Sequence, residues 1–441
     1  MDVDVLEARA RARRLARLRA APMAEYHLLL LVTLGLVAFG LIMVYSASSG
    51  VAVVQGQNPM GSLLRQAVYA VAGTITMAVA AWVPYRRWRP AVPVIMLFSL
   101  VLLVAVLVPH VGLRLNGASR WIPVGPLTIQ PSEVAKLAVV LFTCQVLAAR
   151  RRPPSSVKEL INPVGAVVAA TCVLVLAEPD LGTTIALAIM VGGVLVVAGT
   201  RLRLLVGTIA MGSAAALLGI SQNSYMKDRL LTFVNPWHDA AGAGYQNAQA
   251  LIALGSGGIF GKGLGQGTQK IYYLPESPSD MIAAVIGEEL GLIGILATAL
   301  AFALFAVLGF RVAMRCREPF GKYLATGITC LVAGQAVVNL GAVLGFLPLT
   351  GVPLPLISSG GSSLVVFMTM AGILLNIAQS GTPARRPAAR RGRTLPDDDA
   401  AKPKPAQVKR LRPATAASAD SRRRNGRARR ARAGGGSRAR G

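Results

Sequence analysis

The sequence predicts an all-α, polytopic integral membrane protein of about ten transmembrane helices, and three observations carry that prediction. Of 441 residues, 54% are hydrophobic and only 15% charged, where an average soluble domain carries about 25% charge. The mean hydropathy of +0.55 is spread over many separate apolar runs, most of them near the ~17–25 residues that a helix needs to cross a bilayer core. The charge is also lopsided. Of the net +27, the segment from Gly381 to Gly441 supplies +15, from 19 basic and 4 acidic residues.

Taken in order, the spans fall at about 26–47, 64–83, 91–109, 133–149, 161–177, 183–199, 203–220, 282–311, 322–346 and 355–379. The first follows an Arg-rich stretch as a secretory signal would, but its apolar run exceeds the ~7–15 residues of a signal core, so it reads as an uncleaved span. An even number of spans puts both termini on one side. Short cytoplasmic loops retain Lys and Arg, and 19 basic residues lie on the N-terminal side of the membrane before the tail against 8 on the other. Both termini are therefore expected in the cytoplasm.

This divides the chain into a basic cytoplasmic segment 1–25, a membrane domain 26–379, and a tail 380–441 rich in Ala, Arg, Pro and Gly. Such a tail buries too little apolar surface to offset its ordering entropy, so disorder is expected. It reads equally well as a topology signal or as a tether to anionic membrane lipid or acidic partners. The pI near 11 thus gives no reason to expect nucleic acid. Cys144, Cys172, Cys316 and Cys330 lack CxxC spacing and the three histidines are scattered, so neither a zinc site nor a disulfide framework is suggested.

Two outer loops, at about 110–132 and 221–281, are long enough to suggest function. Ionisable residues at the rims of spans are costly, which makes them site candidates. Glu133 and Lys136 stand at i and i+3 on one face of the fourth span; a structural ion pair is the plain alternative. Arg120 beside Trp121 fits interfacial anchoring or a site. Asp280 falls where the eighth span begins, a position suited to capping. Yet Asp280, Ala284 and Glu288 recur at i, i+4 and i+8, beside the small Ala283 and Gly287, a groove suited to a lipid-tailed amphipathic substrate. Glu289 is turned about 100° from Glu288.

The run GSGGIFGKGLGQG fails as a P-loop, because Lys262 is followed by Gly263 and not by Ser or Thr. It reads as an outer loop or re-entrant turn, and no nucleotide is expected. In LPLTGVPLPLISSGGSS, Pro353 and Pro355 stiffen an outer loop that suits a partner.

Five blocks now carry a resemblance. NGASRWIPVGPLTIQPSEVAKL, EPDLGT, GYQNAQALIALGSGGIFGKGLGQGTQK, SDMIAAVIGEELG and PLPLISSGGSS, in this order across about residues 26–379, closely resemble the SEDS family of bacterial cell-wall proteins. The opening YHLLLLVTLGLVAFGLIMVYSASS and the basic termini resemble its cell-division branch more than its elongation or sporulation branches. The resemblance implies the SEDS fold and a peptidoglycan glycosyltransferase that polymerises lipid II outside the cytoplasmic membrane during septal wall synthesis. It implies a class B penicillin-binding transpeptidase as partner, met at Val352, Pro353, Leu354 and Pro355, and enrichment at the septum with other division proteins. It places the catalytic aspartate on Asp280 and substrate contacts on Arg120, Glu133, Lys136 and Glu288. One departure stands out: where many relatives read SYGGSS, this chain has Ser359 in place of the aromatic.

The chemistry follows from the groups. The acceptor hydroxyl needs a base, and a positioned carboxylate contributes about 10² to 10⁴ in rate. Asp280 fills that role or holds a divalent cation, Mg²⁺ or Mn²⁺, while Lys136, Arg120 or that cation offsets the charge growing on the diphosphate. The rival reading is a lipid II flippase with the intramembrane charges as its polar path. Purified lipid II separates the two readings.

Overall fold

The computed structural model describes residues 3–115, 118–125, 127–221, 232–233, 235–237, 239–242 and 244–380. The expected disordered tail beyond Ser380, Asn116 and Gly117 of the first motif, and Lys227 and Arg229 of the second outer loop lie outside these residues.

The ten expected spans are present as helices. They are α1 (Val3–Val54), α2 (Gly61–Trp82), α3 (Val92–Leu107) and α4 (Pro131–Ala149). After a single turn, α5 (Val157–Leu160), come α6 (Ala166–Ala177), α7 (Leu181–Val197) and α8 (Leu202–Ser221). A thirteen-residue helix, α9 (Tyr245–Gly257), interrupts the second outer loop before α10 (Ile282–Arg315), α11 (Pro319–Val343) and α12 (Gly361–Ser380). Eight described helical segments are long and apolar enough to cross a membrane; α7 and the apolar start of α8 are shorter. The N-terminal basic stretch does not form an element of its own but runs into the first span as one helix.

Two features differ from expectation, the first outer loop and the start of the last helix, while the eighth span begins at Ile282 as expected. The first outer loop is a small antiparallel sheet in the order β1 (Leu113–Leu115), β2 (Ala118–Val124), β3 (Leu127–Ile129), with Ile122 opposite Ile129. Asp280 precedes α10 and is not part of it. The last helix begins at Gly361, six residues later than expected, because the preceding Pro-rich run spends its backbone groups outside a helical ladder: Leu354 N–H donates to Ser358 Oγ within the run and Ser359 N–H to the Pro278 carbonyl.

The core centres on α11, which packs against α10, α7 and α4, while α12 lies along α2. Phe305, Phe320 and Phe367 are wholly buried there. Leu64, Val71, Trp82, Val94, Leu97, Leu296 and Leu300 instead point outward, as a lipid-facing surface requires.

At 34 residues, α10 exceeds the ~20 that span a bilayer, and it is broken at Gly291, where φ is 67° and ψ −161°. That left-handed backbone suits glycine. The break frees backbone groups, and the Gly-rich turn 258–263 takes them up. Lys262 and Gly263 N–H donate to the carbonyls of Glu288 and Glu289 at 3.0 Å, and Leu292 N–H donates to Gly258 at 2.9 Å. Irregular backbone at membrane depth survives only where protein satisfies it in this way. The outer piece, Ile282 to Glu289, is buried throughout, whereas Leu292 and Ile293 are exposed.

Candidate functional site

The site is built where the N-terminal ends of α4, α7, α10 and α12 meet the C-terminal end of α11. Pro131 at the first position of α4 needs no hydrogen-bond partner for its nitrogen, and the preceding Gln130 N–H donates to Ser362 Oγ, 3.1 Å away at the start of α12. Glu133 and Lys136 follow in the first turns of α4. They form a 2.8 Å ion pair with side chains 1% and 0% exposed. Lys136 also donates to Gln335 Oε1 on α11 at 2.9 Å and lies 5.0 Å from the centre of the Phe367 ring. Glu133 Oε2 has no hydrogen-bond partner among the described residues.

From this pair a chain of contacts leads to Asp280. Gln335 Nε2 donates to the Pro353 carbonyl at 2.9 Å. One helical turn on, Asn339 Nδ2 donates both to the Val352 carbonyl at 2.7 Å and to the Asp280 carbonyl at 2.9 Å. Ser358 Oγ donates to the Ser279 carbonyl at 2.7 Å. The half-buried Asp280 thus sits on a turn held from two sides, ahead of the buried first residues of α10.

Arg120 lies on β2, and its guanidinium is spent on backbone: Nε donates to the Glu178 carbonyl at 2.9 Å and Nη2 to that of Pro179. It therefore holds the EPDLGT turn between α6 and α7. Asp180 caps α7 through Thr183 N–H at 2.9 Å and Thr183 Oγ1 at 2.8 Å. Next to it, Glu178 is fully buried and neither of its carboxyl oxygens has a hydrogen-bond partner among the described residues. Burial, helped by the nearby Asp180 and opposed by Arg120, pushes the Glu178 carboxyl up to about 9.

Two expectations are corrected by this geometry. Asp280 and Glu288 do not share one helix face, since the cap of α10 is Met281. Glu288 faces the Gly-rich loop: its Oε1 accepts from Lys262 Nζ at 2.8 Å and Thr268 N–H at 2.9 Å, and its Oε2 from Gln269 N–H at 3.2 Å. Glu289 is equally engaged, accepting from Lys270 Nζ at 2.5 Å and from Ser46 Oγ. Secondly, the loop read as a partner surface turns its apolar side chains inward. Val352 and Leu354 are 2% and 1% exposed and Pro355 is buried, while Pro353 is half-buried. The capture of the Val352 and Pro353 carbonyls by α11 folds the loop into the domain, and Val352 packs against Gly182 of the EPDLGT turn.

The family model for cell cycle proteins that unites FtsW, RodA and SpoVE matches residues 26–382. The chain belongs to the FtsW/RodA/SpoVE family. It is 39% identical over 361 residues to the probable peptidoglycan glycosyltransferase FtsW of Geobacter metallireducens, a match covering 80% of this chain and 95% of that relative. It is 38% identical to the stage V sporulation protein E of Bacillus subtilis, covering 80% and 96%. A solved chain from a peptidoglycan synthase complex that coordinates polymerization and crosslinking superposes with a TM-score of 0.66 at 27% identity, covering 80% of this chain and 97% of that one. The rod shape determining protein RodA of Thermus thermophilus gives 0.58 at 28%, with the same coverage.

Within this FtsW/RodA/SpoVE member, Gln335 and Asn339 are the site residues that the sequence reading passed over. A signal was present: two amides at i and i+4 in an apolar span fall on one face and are as unusual there as a charge. Among the described residues no three His, Cys, Asp or Glu side chains gather as metal ligands would.

Proposed function

We propose that this chain is a peptidoglycan glycosyltransferase that polymerises lipid II on the outer face of the cytoplasmic membrane, with Asp280 as its catalytic carboxylate. The supporting observation is the placement of Asp280: a half-buried acid on an anchored turn, linked through Asn339, the Pro-rich loop and Gln335 to the buried Lys136–Glu133 pair. Family membership supplies the reaction class.

In the proposed step the acceptor hydroxyl attacks the anomeric carbon of the donor. The new C–O bond forms as the bond to the lipid diphosphate breaks, and the hydroxyl proton passes to Asp280. One displacement inverts the anomeric centre. The departing diphosphate carries growing negative charge, and Lys136, linked to the Asp280 turn through Gln335 and the Pro-rich loop, is the cation assigned in this reading to offset it. A divalent cation such as Mg²⁺ or Mn²⁺ would have Asp280 as its one protein carboxylate, so it would depend on the substrate to be held. Bound so, it would neutralise leaving-group charge. Arg120 acts in this reading by holding the EPDLGT turn, and Glu288 by holding the loop that leads to Asp280. The anomeric diphosphate is already the activated bond, so no nucleotide is called for.

The orientation with both termini in the cytoplasm rests on the excess of Lys and Arg on that side; the ion pair of Arg315 with Glu25 places the far end of α10 beside the start of the first span. A class B penicillin-binding transpeptidase is the proposed partner, and septal recruitment is the proposed role of the basic tail through anionic lipid or division proteins. The test is polymerisation of purified lipid II by the purified protein with its partner. Glycan polymer is expected from the wild type, with a loss of at least about 10²-fold in Asp280→Asn, the lower end of what a positioned acid or base contributes. No polymer from a folded wild-type complex would overturn the enzymatic reading, and near-wild-type polymer from Asp280→Asn would remove Asp280 from it.

A further inference from the structure

We infer that Asn339 is a positioning residue that sets the reach of Asp280, with Gln335 as its support; the inference rests on the catalytic role proposed for Asp280. The two amides sit one helical turn apart on α11, 0% and 3% exposed for Gln335 and Asn339. Each holds one of two consecutive carbonyls of the Pro-rich loop, those of Pro353 and Val352, at 2.9 and 2.7 Å. Asn339 then spends its second N–H on the carbonyl of Asp280 itself, at 2.9 Å.

An amide nitrogen carries two donors and a carboxylate carries none, so asparagine can join two acceptors where aspartate of the same shape would repel both. The carbonyls it joins come from segments 72 positions apart in the sequence, and no regular secondary structure holds either of them. Asn339 lies near the C-terminal end of a 25-residue helix packed on α4, α7 and α10. It therefore ties the carbonyl of the catalytic residue to that packed helix, while Ser358 and Ser359 fix the carbonyls of Ser279 and Pro278 just before it. The same helix face carries Gln335, whose carbonyl oxygen receives Lys136. One helix face thus links the backbone of Asp280 to the side chain of Lys136 and sets the spacing between them. A displacement of about 1 Å in such a spacing costs on the order of 10²-fold in rate.

Asn339 touches the Asp280 carbonyl and not its carboxylate, so its loss should move the acid without abolishing substrate binding. The purified full-length protein with its penicillin-binding partner is assayed on lipid II as wild type, Asn339→Ala, Asn339→Asp and Asp280→Asn, with hydrogen exchange followed over residues 275–281 and 350–354. The expected result is a 10- to 100-fold fall in kcat for Asn339→Ala, as large or larger for Asn339→Asp, with apparent KM within threefold of wild type. Exchange should rise in both loops together. If Asn339→Ala does not yield monodisperse protein, Asn339→Ser takes its place, with a smaller expected fall. Wild-type kcat in Asn339→Ala beside an inactive Asp280→Asn overturns this inference and leaves the role of Asp280 standing. A kcat loss with unchanged exchange in both loops also overturns it, pointing to direct substrate contact. Activity in Asp280→Asn overturns the role of Asp280 and this inference with it.

Discussion

Two buried lysine–glutamate pairs lie in this membrane domain, and they differ in what is left over. Lys270 and Glu289 are closed on themselves: Ser46 Oγ lies 2.7 and 2.6 Å from the two carboxylate oxygens, and Lys270 Nζ reaches both Glu289 and Ser46. Lys136 and Glu133 are as deeply buried, yet one carboxylate oxygen of Glu133 is without a hydrogen-bond partner among the described residues. Burying an ion pair is costly unless its remaining lone pairs are met. The first pair meets them and staples the outer loop to α1 and α10. The second leaves one open beside the path to Asp280, which is where a substrate group has something to gain.

Removing one lysine from either pair strands a buried carboxylate, and the expected cost is about 3–5 kcal/mol in each case, read as loss of thermal stability in detergent. The comparison sharpens when both partners go. Glu133→Leu with Lys136→Met, and separately Glu289→Leu with Lys270→Met, should each recover most of that stability, because apolar replacement of a whole buried pair is often neutral. Polymerisation should then separate them, falling at least about 10²-fold for the first and staying within about tenfold of wild type for the second. Equal activity in the two double variants would break the distinction between staple and site.

A smaller effect is expected at Glu178, which is buried like Glu133 but has no lysine. Its folded value near 9 lies above the ordinary carboxylate value of about 4.3. The folded state therefore keeps a proton that the unfolded chain releases, and stability falls as pH rises from about 4.3 towards 9. Glu178→Gln should abolish that slope: a thermal melt near pH 5 stays the same and one near pH 8.5 shifts upward. A melt that moves equally at both values would show that the group is charged in the fold. The smallest effect belongs to the opposite end of the molecule, where Arg89 meets Glu318 at 3.1 Å with its side chain 41% exposed. Arg89→Ala should cost at most about 1 kcal/mol and leave polymerisation unchanged; a loss of activity there would mean that this far end communicates with Asp280.

Hydropathy made the spans legible, because a bilayer imposes one length on every crossing helix. The i, i+3 spacing made Glu133 and Lys136 legible as a pair. Their continuation was not, because Gln335 and Asn339 carry no charge and lie about 200 positions away from them. The contrast between Glu288 and Glu289 was hidden for a similar reason: their lysine partners come from a loop whose path depends on the break at Gly291. The β-sheet had left a trace, since Asn116–Gly117 between two apolar stretches is a hairpin signal, but the stretches are only three and seven residues long. The inward turn of Val352 and Leu354 depends on amides supplied by another helix, so apolar, Pro-rich character alone read as a surface.

The break in α10 also bears on how glycine-rich sequence is to be interpreted. At Gly261 a side chain would run into the Glu289 carbonyl, and at Gly291 into the backbone of Ile259 and Gly261. Here glycine marks where two stretches of main chain touch. Ile259, Phe260, Leu292 and Ile293 beside that contact are exposed, so lipid tails lying against them would offer its N–H and C=O groups no substitute partner. In water the same run would be among the most pliable parts of the chain, since each backbone bond could be exchanged for one to solvent at little loss. Stiffness at this point is a property of the chain and its solvent together, and a detergent that lets water reach the break should soften the loop leading to Asp280 without altering a single residue.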